Sequence, residues 1–570
     1  MSQESPPETP RSATGRLTAW LAGWGWPDIA LLAPHGVALA FMLGTEKPVV
    51  PMLAFVLGWV FFNAFWIVLI RRPAVAGLLT LLCLLLLILL SQFKHEILLM
   101  TVNFVDLMMI DADTTAFLLQ VFPRLGFKTV LAALAAVALL ALVWWLDRRR
   151  LSRRCAALVA TGSFAALISL ASAVPNDPWE EFYAENYFSK YVRSGVTAAS
   201  DYLTRGILDQ DQGAVARLAT PDPGPCTVEQ PPHVIVIHDE SSFDARAIPG
   251  IKVPEGYGGH FRSFDGKART LLVEGPGGPS WYTEYNILTG LSARSYGRFI
   301  DFATRIAAGR VERGFAHNFA RCGYRTTTLY PMYGSFLSAR RFQETAGIQR
   351  FLDSKVLGAG FLDPDGFYFN AAADLLARER RLGPQFMLVY TAQNHFPWTF
   401  RYRPDLAPEW KDPGNRADVD EYLRRQHLTE VDYRAFIERL QREFPEERFL
   451  IVRFGDHQPY FARHLIDPTQ DDTMLVRRIA AADPRFLATY YSIETINFTP
   501  KDLSSSLDVL DAPHLPLAVL EAAGVPLDPT FREQKAILQR CRGLLFRCNA
   551  GAEARRFNRQ LIDAGLIKGL

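Results

Sequence analysis

His233-Val234-Ile235-Val236-Ile237-His238 is an apolar run rich in β-branched residues, and it ends abruptly in Asp239-Glu240-Ser241-Ser242. A short run of this composition reads as a strand buried on both faces. Comparable runs recur downstream as Arg325-Thr326-Thr327-Thr328-Leu329-Tyr330, Gln385-Phe386-Met387-Leu388-Val389-Tyr390-Thr391 and Arg448-Phe449-Leu450-Ile451-Val452-Arg453-Phe454. Polar residues and a helical stretch follow each of them. Strands alternating with helices predict a parallel sheet covered on both faces, an α/β/α sandwich whose ligands gather beyond the carboxyl ends of the strands.

Those ends carry chemistry-bearing residues. The first strand delivers Asp239-Glu240, the second Tyr330-Pro331-Met332-Tyr333, the third Gln393-Asn394-His395 and the last Gly455-Asp456-His457. Between the first two lies Gly275-Pro276-Gly277-Gly278-Pro279-Ser280-Trp281-Tyr282-Thr283-Glu284-Tyr285, running into Asn286-Ile287-Leu288-Thr289-Gly290. Gly and Pro interrupt regular structure, so this stretch reads as a tight loop that sets Ser280 at the mouth of a helix. A helix N-terminus suits an anion or an ionised hydroxyl. An ordinary Ser N-cap, closed by Thr283 or Glu284 as a capping box, explains the stretch equally well by itself.

Singly, an Asp or Glu after a strand is more often a cap, and a His more often a structural hydrogen-bond partner. Together, Glu240, Asp456, His457 and the Ser280 hydroxyl form a donor set for one divalent cation, with Mn, Mg and Zn all suited. Such an ion would lower the pKa of Ser280 and make it a nucleophile, with Thr283 as the fallback. His395 would bind a substrate anion or protonate a leaving oxygen. Arg340 and Arg341 are candidates for phosphate binding, while Asp301 and His514 read as structural.

The rest of the chain supplies the setting. Of 570 residues, almost all the long apolar runs precede Pro175, at 29–45, 51–70, 74–91, 129–146 and 155–174. Each is near the roughly 20 residues that cross a bilayer. A net charge of +2 gives no electrostatic case for nucleic acid. The expected organisation is a cytoplasmic tail at 1–28, ending in the interfacial aromatics Trp20, Trp24 and Trp26, and a transmembrane domain of about five α-helical spans at 29–175. An external amphipathic segment at 92–126, read as a re-entrant or surface-lying helix pair, interrupts the spans. An amphipathic connector and linker fill 176–229, and 230–570 form the extracytoplasmic α/β domain.

The polar N-terminus argues against a cleaved signal peptide. Arg71-Arg72 and Arg148-Arg149-Arg150 with Arg153-Arg154 mark cytoplasmic loops, so the last span leads out of the cytoplasm. In the connector, Trp179, Phe182, Tyr183, Tyr187, Phe188 and Tyr191 fit a helix that either lies in the headgroup layer or packs as an aromatic core stripe. Residues 219–225 read as a stiff linker. Outside the spans, Cys541 with Cys548 is the natural short-range disulfide, leaving Cys226 with Cys322. Scarce ionisable residues in the spans argue against a transporter.

Val236-Ile237-His238-Asp239-Glu240-Ser241, Pro279-Ser280-Trp281-Tyr282-Thr283-Glu284-Tyr285, Asn394-His395-Phe396-Pro397-Trp398 and Phe454-Gly455-Asp456-His457 also carry a resemblance. Over about 230–525 the chain resembles the sulfatase-type branch of the alkaline phosphatase superfamily. The whole chain resembles the membrane-anchored lipoteichoic acid synthase and periplasmic-glucan phosphoglycerol transferase group. The resemblance implies a single-metal site of Glu240, Ser280, Asp456 and His457, with Ser280 as nucleophile where lipoteichoic acid synthases carry Thr, and Trp281, Arg340 and His395 toward the substrate. Sulfate ester hydrolysis is disfavoured, because Trp281-Tyr282-Thr283 replaces the Pro and Arg that formylglycine formation needs.

The implied activity moves a phosphoglycerol headgroup from phosphatidylglycerol to a glycan or glycolipid hydroxyl at the inner membrane, on its periplasmic side. A phosphatidylethanolamine donor ranks second, water as acceptor third, and a non-catalytic glycan-binding role below these.

Overall fold

The computed structural model describes residues 25–570 apart from 99, 111–114, 116–117, 120–121, 175–179, 181–182, 212, 214–217, 219–225, 361, 471–473, 476–477 and 480. Trp20 and Trp24 of the expected tail, Trp179 and Phe182 of the connector, and the linker at 219–225 lie outside the described residues. The chain forms two units, one of residues 1–108 and 118–200, the other of 109–117 and 201–570.

In the first unit, α1 (Trp26–Thr45), α2 (Val49–Ile70), α3 (Pro73–Leu98), α4 (Pro123–Leu146) and α5 (Arg153–Ala173) are each long and apolar enough to cross a membrane. The two basic loops meet at one end: Leu151 N–H donates to Arg71 O (2.9 Å), Arg72 donates to Asp147 O (2.9 Å), and Asp147 Oδ2 accepts from Ala74 N–H (2.7 Å). The loop between α1 and α2 instead caps α6 (Tyr187–Arg205), where Asn186 N–H donates to Thr45 O (2.8 Å) and Phe188 N–H to Glu46 Oε1 (3.2 Å). The aromatic stripe of α6 is packing rather than headgroup contact. Tyr187, Phe188 and Val192 sit in one core with Phe55 and Leu84, and a Cβ on Gly58 would come within 3.0 Å of Phe188.

The external segment differs from expectation. Gln92–Leu98 continue α3, and Lys94 on its last turns pairs with Asp106 at 2.7 Å. The described part of this segment then holds a 3₁₀ turn, Phe104–Met109, started by Asn103 Oδ1 accepting from Val105 N–H (2.8 Å), and helical residues at 115 and 118–119, while the rest of 111–121, where the second of the expected helices falls, lies outside the described residues.

The main run of the second unit starts at Asp201 and so takes in part of the connector, where Asp209 is tied to Ser295 (2.7 Å) and Asn558 (2.8 Å). Its sheet runs β4-β3-β5-β1-β6-β7-β2-β8, from β1 (His233–Asp239), β2 (Arg269–Leu272), β3 (Arg325–Leu329), β4 (Arg350–Leu352), β5 (Gln385–Tyr390), β6 (Phe449–Gly455), β7 (Ala488–Ile496) and β8 (Val509–Asp511). The sheet is mixed rather than parallel, since β7 runs antiparallel to both β6 and β2. β2, β4 and β8 are too short for periodicity to reveal, and β7 interrupts its apolar residues with Thr, Ser and Glu.

β1 lies in the middle, with Ile235 and Ile237 facing α9 (Asp365–Glu379) and α10 (Ala417–Glu443) through Tyr368, Phe369, Phe436 and Leu440. On the opposite face, Phe315 and Phe319 of α8 (Phe315–Arg321) pack on Phe386, in the same layer as α7 (Ser280–Thr289). Disulfides join Cys226 to Cys322 and Cys541 to Cys548.

The ends of β1 and β6 abut. Asp239 pairs with Gly455, and a Cβ at Gly455 would stand 1.7 Å from Ser242 O. Only glycine permits that approach. Gly455→Ala is therefore expected to lower stability by at least about 2 kcal/mol, read as a fall in the denaturation midpoint of the intact chain in detergent. An unchanged midpoint would show that the strand ends separate at no cost.

Candidate metal centre

The turn after β1 places Glu240 against the sheet edge. Its N–H donates to Thr391 Oγ1 (3.0 Å), and Ser241 Oγ donates to its Oε1 (2.8 Å). Ser241 takes a left-handed backbone (φ 49°), which aims its own N–H at Asp456 Oδ1 (2.7 Å). The His457 N–H reaches the same oxygen at 2.8 Å. Asp456 is fully buried, and its Oδ2 has no hydrogen-bond partner. His238 Nε2 (3.2 Å) and His457 Nε2 (3.4 Å) lie near that oxygen, outside hydrogen-bond alignment.

Burial alone would raise the Asp456 pKa, and the positive charge that His457 and His238 carry when protonated turns the shift downward. His457 Nδ1 lies 2.8 Å from Gln458 O. Only an N–H can serve a carbonyl, so Nε2 keeps its lone pair for the cluster.

Ligand atoms of Glu240, Asp456 and His457 lie within 4.8 Å of one another. Ser280, the first residue of α7, is half-buried, with its Oγ 3.4 Å from Glu240 Oε2 and 3.3 Å from His457 Nε2. The N-cap is Pro279, and no capping box forms. Two carboxylates and an unprotonated imidazole nitrogen converge with one buried oxygen unsatisfied, which fits a divalent cation.

Thr283, fully buried one turn further on, donates to Asp456 O at 2.7 Å, so its hydroxyl braces the cluster from behind. His238 escaped the sequence reading. Register sets it between Tyr390 and Phe454, and it stacks on Tyr390 at 4.4 Å. Its place two residues before Glu240 was the available signal.

The loop after β5 is fastened to the same edge, since Asn394 Nδ2 donates to Glu240 O and Ser241 O, both at 3.4 Å. His395 on that loop stacks on Phe396 and has Nδ1 2.7 Å from Phe396 O. Arg425 of α10, also missed, donates to His395 O (2.8 Å) and Pro397 O (3.0 Å) while pairing with Glu421 (2.9 Å). Asp365 holds the loop's start through Ala392 N–H (3.0 Å) and Gln393 N–H (3.1 Å).

Other expected site residues have internal partners. Arg340 pairs with Asp353 (2.9 Å) and donates to Phe351 O (3.1 Å), which fastens the short helix Ala339–Thr345 to β4, and Arg341 lies against Gly309. Trp281 is buried against Phe336. Asp301 accepts from Tyr282, and His514, its pKa lowered to about 4 by burial, contacts Leu544 O at 3.2 Å.

Residues 281–475 match the Sulfatase family model. That segment of the α/β unit is similar to sulfatases. The matched segment holds His395, Asp456 and His457 and begins one residue after Ser280. No match is found among curated protein sequences.

Among solved structures, the chain is similar to the Streptococcus pyogenes phosphoglycerol transferase GacH in complex with sn-glycerol-1-phosphate (15% identity, 61% of this chain and 95% of that one, TM-score 0.45). It is similar to the Listeria monocytogenes lipoteichoic acid synthase LtaP (17%, 55% and 76%, TM-score 0.40). It is also similar to the periplasmic domain of Escherichia coli EptC in complex with Zn (14%, 55% and 87%, TM-score 0.37).

Two measurements check this site. Asp456→Asn, which weakens a ligand without changing shape, should reduce Mn binding by at least about 10-fold, followed by the loss of free Mn signal in electron paramagnetic resonance; unchanged binding would place the ion elsewhere. Burial, reinforced by Asp239, pushes the Asp365 carboxyl up to about 7 from an ordinary 3.8. Between about pH 4 and 7 the unfolded chain has released this proton and the folded chain retains it, so this group makes stability fall as pH rises. Asp365→Asn should flatten that fall in denaturation midpoints across the window, and equal slopes would refute the assignment.

Proposed function

We propose that the chain is a membrane-anchored phosphotransferase that moves a phosphoglycerol group from phosphatidylglycerol to a glycan or glycolipid hydroxyl, with Ser280 as the nucleophile. One observation carries the reading: a half-buried hydroxyl at a helix N-terminus lies 3.3–3.4 Å from two members of a Glu-Asp-His cluster. Glu240, Asp456 and His457 would hold one divalent ion, Mn or Mg favoured, which when bound supplies Lewis acidity for the hydroxyl and the phosphoryl oxygens.

Ser280 Oγ, losing its proton, forms a bond to phosphorus as the bond to the diacylglycerol oxygen breaks. The departing oxygen takes up a proton, the role assigned to His395. An acceptor hydroxyl then displaces Ser280 from phosphorus and restores it. The positive end of α7 favours the anionic phosphoryl group throughout.

The apolar helices support a lipid donor, which is met at the bilayer surface. The meeting of Arg71-Arg72 with the 147–151 loop at one end of the helices supports a cytoplasmic placement of both and an extracytoplasmic, periplasmic placement of the α/β unit.

Detergent-purified protein with Mn or Mg should release diacylglycerol from phosphatidylglycerol and not from phosphatidylethanolamine, and chelation should abolish release. Ser280→Ala is expected to cost at least ~10³-fold in rate, and Thr283→Val far less. Release that survives in Ser280→Ala would remove Ser280 as nucleophile, and release from phosphatidylethanolamine alone would change the donor.

A further inference from the structure

A second recess, of about 190 Å³, opens where the loop after β1 meets α10, lined by Glu255, Tyr257, His260, Trp410, Glu430 and Arg434 among others. The His260 side chain is 4% exposed, and its Nδ1 is buried without a hydrogen-bond partner. Glu430 Oε2 lies 3.6 Å from that nitrogen, beyond bonding length but near enough for one hydroxyl to bond both. Trp410 is held by Asp412 (2.9 Å) and backed by the His427 ring at 5.0 Å.

The charges indicate what the recess takes. Glu430 is matched by Arg434 at 2.6 Å, and burial lowers the His260 pKa so that the imidazole stays neutral. Excess anion would meet Glu255 and Glu430, and for an amine Glu430 is already taken by Arg434, which leaves only the exposed Glu255. A neutral polyhydroxyl ring is served by both kinds of group and by an aromatic wall.

The recess is also wired to the metal cluster. Tyr257 Oη donates to Gln426 Oε1 (2.6 Å), and Gln426 Nε2 donates to Tyr422 Oη (2.8 Å). Tyr422 Oη donates to Ser241 O (2.8 Å), and Ser241 N–H donates to Asp456 Oδ1. We infer that this recess is a sugar-binding subsite that seats one neutral ring of the glycan acceptor, a step that rests on the transferase reading for the word acceptor and on the recess itself for the sugar.

The test uses the full-length chain in detergent micelles, with maltose and cellobiose as probes and ethanolamine and glycerol 1-phosphate in separate samples, all followed by saturation-transfer difference NMR. Diacylglycerol release from phosphatidylglycerol is measured on the same preparation without sugar. The expected result is saturation of sugar ring protons by the wild type, binding weakened about 10-fold or more by Trp410→Ala, and recovery in Trp410→Phe. Glu255→Ala, at an exposed position that does not threaten folding, should also weaken binding.

Equal sugar signals in the wild type, Trp410→Ala and Glu255→Ala overturn the subsite, as does saturation of ethanolamine or glycerol 1-phosphate alone. Sugar binding without headgroup release sinks the transferase reading and leaves the subsite standing. Headgroup release without sugar binding does the reverse.

Discussion

Placing two carboxylates and an imidazole lone pair within 4.8 Å of one another in a buried pocket sets like charges against each other where water does not screen them. The fold meets this constraint at Asp456. One of its oxygens takes two backbone N–H groups, from Ser241 and from its neighbour His457, and its carbonyl takes the Thr283 hydroxyl, so two distant chain segments converge on a single residue. The close approach of β1 to β6 at Gly455, the left-handed turn at Ser241 and the start of α7 all follow from bringing those segments together. The remaining oxygen faces the cluster without a hydrogen-bond partner, as a cation ligand would.

What was legible in the sequence follows from where the signal is local. The central strands are buried on both faces and are written as uninterrupted apolar runs, so β1, β3, β5 and β6 could be read with their ends nearly in place. Glu240, Asp456 and His457 stand directly after such runs, and Ser280 directly after a Gly/Pro loop. The edge strands are short, and β7 mixes polar with apolar residues, so the antiparallel reversal left no periodic trace. His238 looked like the last residue of a strand, and only register shows it facing Asp456 between two aromatic rings. Arg425 sits in a helix among other charged residues, and sequence cannot show that its guanidinium gathers the carbonyls of the His395 loop. Arg340 shows the same limit: a basic residue after a strand looks unpaired in the sequence, and only the fold brings Asp353 beside it.

The helical unit was read well for the same reason, since long apolar runs declare themselves. Its polar margins did not. Gln92–Leu98 are helix because nothing in them stops α3, and Lys94 finds Asp106 beyond the helix end. The stripe on α6 has one periodicity for two settings, and the choice between lipid and protein is made by Gly58, which leaves room for Phe188.

The hydrogen bond from Ser241 to Asp456 spans 215 residues of sequence. β1 cannot complete its pairing until both β5 and β6 have been synthesised, and Asp456 has only the N–H of its neighbour His457 until the turn after β1 is in place. Assembly of the cluster is thus a late event in folding, of high contact order and all-or-none in character. A chain truncated before β6 carries Glu240 and Ser280 but no centre. The arrangement therefore acts as a check on synthesis, because only a chain made past β6 can present the hydroxyl and its three partners together.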